Sequence, residues 1–316
     1  MGSLRARFTT LTSNWRICSC LLLLVLLLAP SLLAQNTFIP SDGVSQRYAL
    51  ERERQRRQQT EAVQVGFDVG GALALFNHNF RSTDGGGPDL HWSGDALDEE
   101  PLGLMLDGRL NVRTSWEDGF SLEYQWFNLT SFTPGADFDV KFGNATIPAG
   151  SDLDVRSTMH HFVFQYRRDF ESLDIFDSQR LYGLFGFAYD NVRFSINSDA
   201  FPLENDSERM REMLPYPVMG IGYEEFVSRE YTLRGYVRAG WLPRIPTLQK
   251  RRGDDVTMQV QYYEIGFEND WQPNPWVAIG AYARLQYFQH ELRGGGVAQL
   301  YKMTGLSIGL RVGIRL

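Results

Sequence analysis

Histidines, acids, serines and arginines are the residues of this 316-residue chain with chemistry to offer beyond packing. The histidines are His78, His91, His160, His161 and His290. A zinc or copper site needs three or four ligands brought to one point, usually announced by a tight spacing such as His-x-x-x-His. No such spacing occurs here, so ordinary histidines near a rim are the expectation, with no metal and no other cofactor. His160 and His161 are neighbours, which in a strand sends their rings to opposite faces and argues against joint ligation. The stretch from Arg81 to Glu100 gathers Asp84, Asp89, Asp95, Asp98, Glu99 and Glu100 around Gly85-Gly86-Gly87. A calcium loop sets its ligands at alternate positions closed by a spaced glutamate, a pattern missing here. A solvated acidic loop is expected instead, followed by a second with Asp137, Asp139, Asp152 and Asp154. Serine, histidine and glutamate all occur, but no spacing selects a nucleophile with its base, so no catalytic residue is assigned.

A different group of charges is spaced by rule. Asp107, Arg109, Arg113, Glu123, Arg234, Arg238, Glu264, Glu268, Arg284, Arg311 and Arg315 occupy alternate positions in segments whose intervening residues are apolar. The last segment shows the pattern most plainly. Leu306, Ile308, Leu310, Val312, Ile314 and Leu316 alternate with Ser307, Gly309, Arg311, Gly313 and Arg315. A period of two is a strand with two unlike faces. It begins at Val63 with Val65, Phe67, Val69, Leu73 and Leu75, and returns at 102–112, 120–126, 162–166, 181–189, 217–223, 233–241, 258–267, 277–287 and 306–316. Ten strands are therefore predicted. Met258 to Phe267 switches phase, which suggests a β-bulge.

The first 62 residues are of another kind. Arg5, Arg7 and Arg16 precede an apolar run from Leu21 to Ala29, and Ser31-Leu32-Leu33-Ala34 ends on a small residue, the order of a secretory signal peptide over 1–34. Its removal takes away both cysteines, Cys18 and Cys20, and shifts the net charge from −7 to −10, since three arginines and no acid leave. An acidic exported chain has no electrostatic footprint for nucleic acid. Residues 35–62 include Glu51-Arg52-Glu53-Arg54-Gln55-Arg56-Arg57, helix-forming but lacking an apolar stripe, and read as a polar periplasmic linker or helix. No later run is long and apolar enough for a membrane helix, so a membrane form of 63–316 must be a closed barrel.

Connections and faces point the same way. The links at 116–119, 227–230 and 271–275 are short, whereas 81–101, 133–153, 195–213, 243–255 and 290–299 are longer and polar, as expected when one rim faces the periplasm and the other the exterior; 169–179 is the one misfit, longer than a simple turn. Aromatics gather near strand ends: Trp116, Phe120, Trp241, Trp271, Trp276, Tyr287 and Phe288. Rings at that level form the interfacial girdles of membrane barrels. On these residues the chain resembles the bacterial outer-membrane β-barrel class over 63–316. The resemblance implies an all-β, transmembrane antiparallel up-and-down barrel of about ten strands, with its N-terminus in the periplasm. It also implies contact with outer-membrane lipids and lipopolysaccharide, and delivery by the barrel assembly machinery. That machinery reads a terminal strand ending in an aromatic residue, whereas this chain ends on Leu316. Ten-stranded omptin proteases carry paired aspartates and an Asp-His pair on facing outer loops. Here Pro243 to Asp255 offers Asp254-Asp255 without a histidine, so those positions do not carry over.

The expected function is a structural or surface-interaction role through acidic outer loops, with a lumen filled by the eleven charges named above, because ten strands lie near the filled end of the barrel range. A narrow arginine-lined channel is the alternative and an outer-membrane hydrolase the third reading. Lys250-Arg251-Arg252 makes one outer tip basic enough to meet lipopolysaccharide phosphates.

Overall fold

The computed structural model describes residues 63–316, except for 85–89, 94–101, 114–117, 134–139, 143–144, 171–178, 199–206, 211–212, 229 and 252–253. The segments read as signal peptide and polar linker, together with Trp116, lie outside the described residues.

Strands follow one another without an intervening helix among the described residues. They are β1 (Gln64–Asp84), β2 (Leu90–Ser93), β3 (Leu102–Arg113), β4 (Asp118–Thr133), β5 (Val140–Phe142), β6 (Ala145–Ile147), β7 (Leu153–Asp169), β8 (Gln179–Asn197), β9 (Ser207–Met210), β10 (Tyr216–Phe226), β11 (Tyr231–Arg251), β12 (Asp254–Asn274), β13 (Val277–Gly294) and β14 (Val297–Arg315). Ten of them, β1, β3, β4, β7, β8 and β10 to β14, pair antiparallel with their neighbours in the chain. The ring closes where β14 meets β1. At this seam Val65 and Leu316 exchange backbone hydrogen bonds of 3.1 and 2.8 Å. The short β2 and β9 pair only with β1 and β8, and β5 with β6 form a separate ribbon in a long connection. Closure satisfies every edge of the ring, the condition for strands to cross a bilayer.

The rim carrying Gln64 and Arg315 is called proximal here, and the rim carrying the long connections distal. Near the proximal rim the outward face is apolar on every strand. Phe67, Val69, Leu106, Leu122, Phe164, Phe187, Ile221, Val237, Phe267, Ile279 and Leu310 are exposed, Leu310 at 68%. Such a continuous apolar belt is stable only against lipid. Alternate residues of the same strands, such as Asp68, Asp107, Glu123, Arg238, Glu268 and Arg311, are buried inside.

Three expectations need correction. The stretches 243–255 and 290–299 are mostly strand rather than loop: β11 continues to Arg251, β12 starts at Asp254, and β13 and β14 meet at a two-residue turn. Pro243 and Pro246 do not end β11, which absorbs them at register shifts between Leu242 and Ile245 and between Pro246 and Lys250. Gly295 and Gly296 adopt φ of 60° and 78°, the left-handed pair that a tight hairpin requires. Finally, β12 has no bulge between Met258 and Phe267. Its alternation is unbroken, with Met258, Val260, Tyr262, Glu264, Gly266 and Glu268 all inward.

The apparent phase switch has another cause. Crossing a bilayer takes about 9–11 residues of strand, but β1, β11 and β12 have 21 each. Their distal halves stand beyond the apolar belt, and there the faces exchange character. Outward positions become polar, as at Asn77, Asn128, Thr130, Thr158, Asn191, Gln259, Gln261, Gln289, Lys302 and Thr304, none of which is fully buried. Inward positions become apolar, as at Phe76, Phe127, Val155, Phe194, Met258, Phe288 and Met303. The tube is a membrane barrel at one end and is packed like a water-soluble one at the other.

Candidate functional site

The interior has two storeys. The proximal one is built of charges whose strands lie on opposite sides of the ring. Glu268 on β12 accepts from Arg109 on β3 at 2.6 Å and from Arg311 on β14 at 2.8 Å, with Arg284 of β13 at 3.5 Å. Arg238 on β11 bonds Glu264 at 2.8 Å and reaches across to Glu123 on β4 at 2.9 Å and to Gln165 on β7 at 3.3 Å. Arg109 also meets Glu123 at 3.2 Å. Asp107 accepts from the Tyr282 hydroxyl at 2.6 Å and from Arg284 at 3.4 Å. Nearer the rim, Glu224 on β10 gathers Arg234, Arg167 and Arg113 at 2.6, 2.7 and 3.4 Å. Asp270 takes Arg234 at 2.5 Å and Arg311 at 2.8 Å, and Asp68 takes Arg315 at 2.6 Å. All eleven charges named from the sequence thus sit in the interior or at its proximal mouth, each with an oppositely charged partner.

Burying an ion is expensive unless it is paired and its remaining donors or acceptors are met. Sharing Glu123, Glu224, Glu264, Glu268 and Asp270 among two or three arginines apiece meets that condition for most of them. Glycines make the room. A Cβ on Gly70 would lie 2.4 Å from the Asp107 carboxylate, and one on Gly280 2.4 Å from that of Asp270. Asp68, Arg167, Asp169, Glu224 and Asp270 belong to this storey but were not singled out in the sequence. Their signal was parity: Asp68 shares a face with Gly66 and Gly70, and Asp270 continues the row of Glu264 and Glu268.

The distal storey is an apolar layer to which all ten ring strands contribute: Phe76, Met105, Phe127, Met159, Phe194, Val218, Leu242, Val260, Phe288 and Met303, each almost wholly buried. Phe127 meets Phe76 and Phe288 edge to face at 5.6 and 5.9 Å, and Tyr262 lies 4.9 Å from Phe288.

Enclosed by this layer lies Asp190, whose histidine partners pack on Tyr262, Phe288 and Tyr301. One of its oxygens is 2.5 Å from His161 Nδ1, and the other is 2.6 Å from His290 Nε2 and accepts from the Tyr216 hydroxyl at 2.7 Å. Neither histidine belongs to a rim, as the sequence suggested; both are fully buried, because β13 runs past His290 as strand. The two rings reach opposite oxygens of one carboxylate. No group of three metal-ligating residues able to hold an ion occurs among the described residues. His160 points outward and bonds the Tyr124 hydroxyl at 2.8 Å. The side chains of His78, His91, Lys250, Arg251 and Arg252 lie outside the described residues, and Asp254 and Asp255 are exposed at the start of β12.

No family pattern and no curated protein matches the chain. Solved structures similar to it include the outer-membrane protease OmpT of Escherichia coli, with 10% identity, a TM-score of 0.42 and coverage of 80% of this chain and 99% of that one. The outer-membrane protein OprG of Pseudomonas aeruginosa has 12% identity and a TM-score of 0.33, covering 82% and 98%. Neisserial surface protein A has 11% identity and a TM-score of 0.27, covering 80% and 97%. The closed ring of ten antiparallel strands, its apolar outer belt and its charged interior give the chain the fold of a transmembrane up-and-down β-barrel.

Proposed function

We propose that the protein is a non-conducting outer-membrane barrel that presents its distal rim and acidic connections to the cell exterior, with its N-terminus on the periplasmic side. The observation that carries this reading is the doubled interior. Cross-lumen ion pairs fill the proximal storey, and an apolar layer drawn from all ten strands lies above it. An ion following the axis would have to displace both. The three longest connections between ring strands, 85–101, 134–152 and 198–215, all leave from the distal rim and support the orientation, as does the signal-like order of residues 1–34. Lipopolysaccharide and the barrel assembly machinery are the partners this location brings.

The test is electrical. Folded protein reconstituted in planar bilayers should leave conductance at the lipid baseline or flickering just above it. Large, stable open steps would overturn the sealed-lumen reading and favour a narrow channel lined by Arg109, Arg238 and Arg284.

A further inference from the structure

Above the belt on β7 and β8, outward-facing cations stand close together without an acid between them. Arg156 is exposed and Arg193 half-buried, and neither guanidinium has an ion-pair partner among the described residues. The register sets Arg156 opposite Ser195 and Thr158 opposite Arg193, so the two arginines are diagonal neighbours. Thr158 and Asn191 lie just proximal on the same face, and on the described outward face of β7 and β8 the nearest acid, Asp154, is one outward step farther from the belt. On the short strand β9, Arg209 holds the register position opposite Arg193. Like charges at neighbouring positions, as at Arg156 and Arg193, repel without a counterion.

What lies beneath these cations tells what kind of anion suits them. Two outward steps below Arg156 is His160, bonded to Tyr124, and two below Arg193 is Tyr189. These rings mark the interface. Next come Phe162, Phe164, Phe185 and Phe187, all exposed within the belt, with Phe162 6.4 Å from Tyr189 and Phe120 stacked on Phe164 at 6.1 Å. Cations two steps beyond an aromatic ring, above an unbroken apolar strip, match an amphiphile lying along the strands. Its acyl chains would cover the phenylalanines while its phosphate met the arginines, which can lean toward the interface on their long stems.

The geometry points to a binding site for a phosphorylated lipid of the outer leaflet on the β7–β8 face, held by Arg156 and Arg193 with Thr158 and Asn191. It rests on the outer-membrane reading above. A free phosphate would find the same cations but none of the apolar strip, so the commitment is to the lipid.

Purified protein in neutral detergent can be titrated with bis-phosphorylated lipid A, its dephosphorylated form and inorganic phosphate, with bound lipid counted by native mass spectrometry. Wild-type protein should bind the phosphorylated lipid best, and millimolar inorganic phosphate should not displace it. The R156Q/R193Q double variant should bind about tenfold or more weakly, because each charge-assisted contact is worth at least one decade. The R156K/R193K variant should recover much of the loss, and R244Q, which breaks a pair with Glu291 elsewhere, should bind as wild type. Should the double glutamine variant not fold, the two single variants replace it. Equal binding of the dephosphorylated lipid, displacement by inorganic phosphate or unaltered affinity in the glutamine variants would each overturn the site. Failure of wild-type protein to insert into phospholipid vesicles would instead overturn the membrane reading, and is scored separately by a heat-dependent gel shift.

Discussion

β12 carries both halves of the barrel on one strand. From Glu264 to Asp270 its inward residues are charged apart from Gly266, and its outward residues include Ile265 and Phe267; from Met258 to Tyr262 the inward residues are apolar and the outward ones are Gln259 and Gln261. Nothing in the backbone changes at the crossing, and the alternation keeps its count. What changes is the surrounding medium. Lipid outside demands apolar side chains there and leaves polar ones for the interior, whereas water outside permits polar side chains and lets the interior close by the hydrophobic effect. The level at which parity exchanges its chemistry is therefore the level of the membrane surface. β14 exchanges between Met303 and Ser307 and β13 between Gln286 and Phe288, so neighbouring strands agree.

This contrast can be broken at several points. The largest effect is expected from Glu268→Ala, which leaves Arg109, Arg284 and Arg311 each short of a partner inside a closed lumen. It should cost about 3 to 5 kcal/mol of folding free energy in phospholipid vesicles, and a loss under 1 kcal/mol would show that the proximal storey is wetter than its burial indicates. Leu310→Arg puts a charge on the lipid side of β14 and should cost about 2 to 4 kcal/mol near the bilayer midplane. Arg311→Leu, one residue on, faces inward and removes one of several cations around Glu268 and Asp270, for an expected loss of about 1 to 3 kcal/mol. Thr304→Arg shares the outward parity of Leu310 but lies beyond the belt, and should change stability by no more than about 0.5 kcal/mol. The sharpest comparison is between positions 304 and 310: equal costs there would remove the boundary drawn across β14. Cysteines at the same two positions give an independent check, since 310 should react with lipid-soluble probes and 304 with water-soluble ones.

Much of the proximal half could be read from the chain. Alternation over Leu306–Leu316 separates lipid-facing from interior residues without structural help, and the same parity, carried a few residues farther, reaches Asp68, Glu224 and Asp270. The distal half was harder for a physical reason. A polar-outside, apolar-inside strand following directly on its opposite looks like a slipped register, and Met258, Val260 and Tyr262 imitate a bulge. Prolines 243 and 246 and the glycines 294–296 look like loop chemistry, although here they serve bulges and a two-residue turn inside long hairpins. Taking those segments for loops also left His290 at a rim. The meeting of His161, His290 and Tyr216 at Asp190 depends on side chains from four strands converging across the lumen, for which linear spacing gives no sign.

The seam between β14 and β1 bears on the order of events in assembly. Arg109 and Glu268, bonded across the lumen, are 159 residues apart, and Asp68 and Arg315, joined at the seam, are 247 apart. β14 is the last of the ring strands to be synthesised, and until it lies against β1 the charged row on each strand has no opposite wall. A sheet entering lipid in that open state would drag unpaired ions with it. Insertion and closure must therefore proceed together, with the partly curled sheet sheltered on its polar side until the first and last strands zip. The price of a lumen stitched by ion pairs is a barrel that cannot be built one strand at a time.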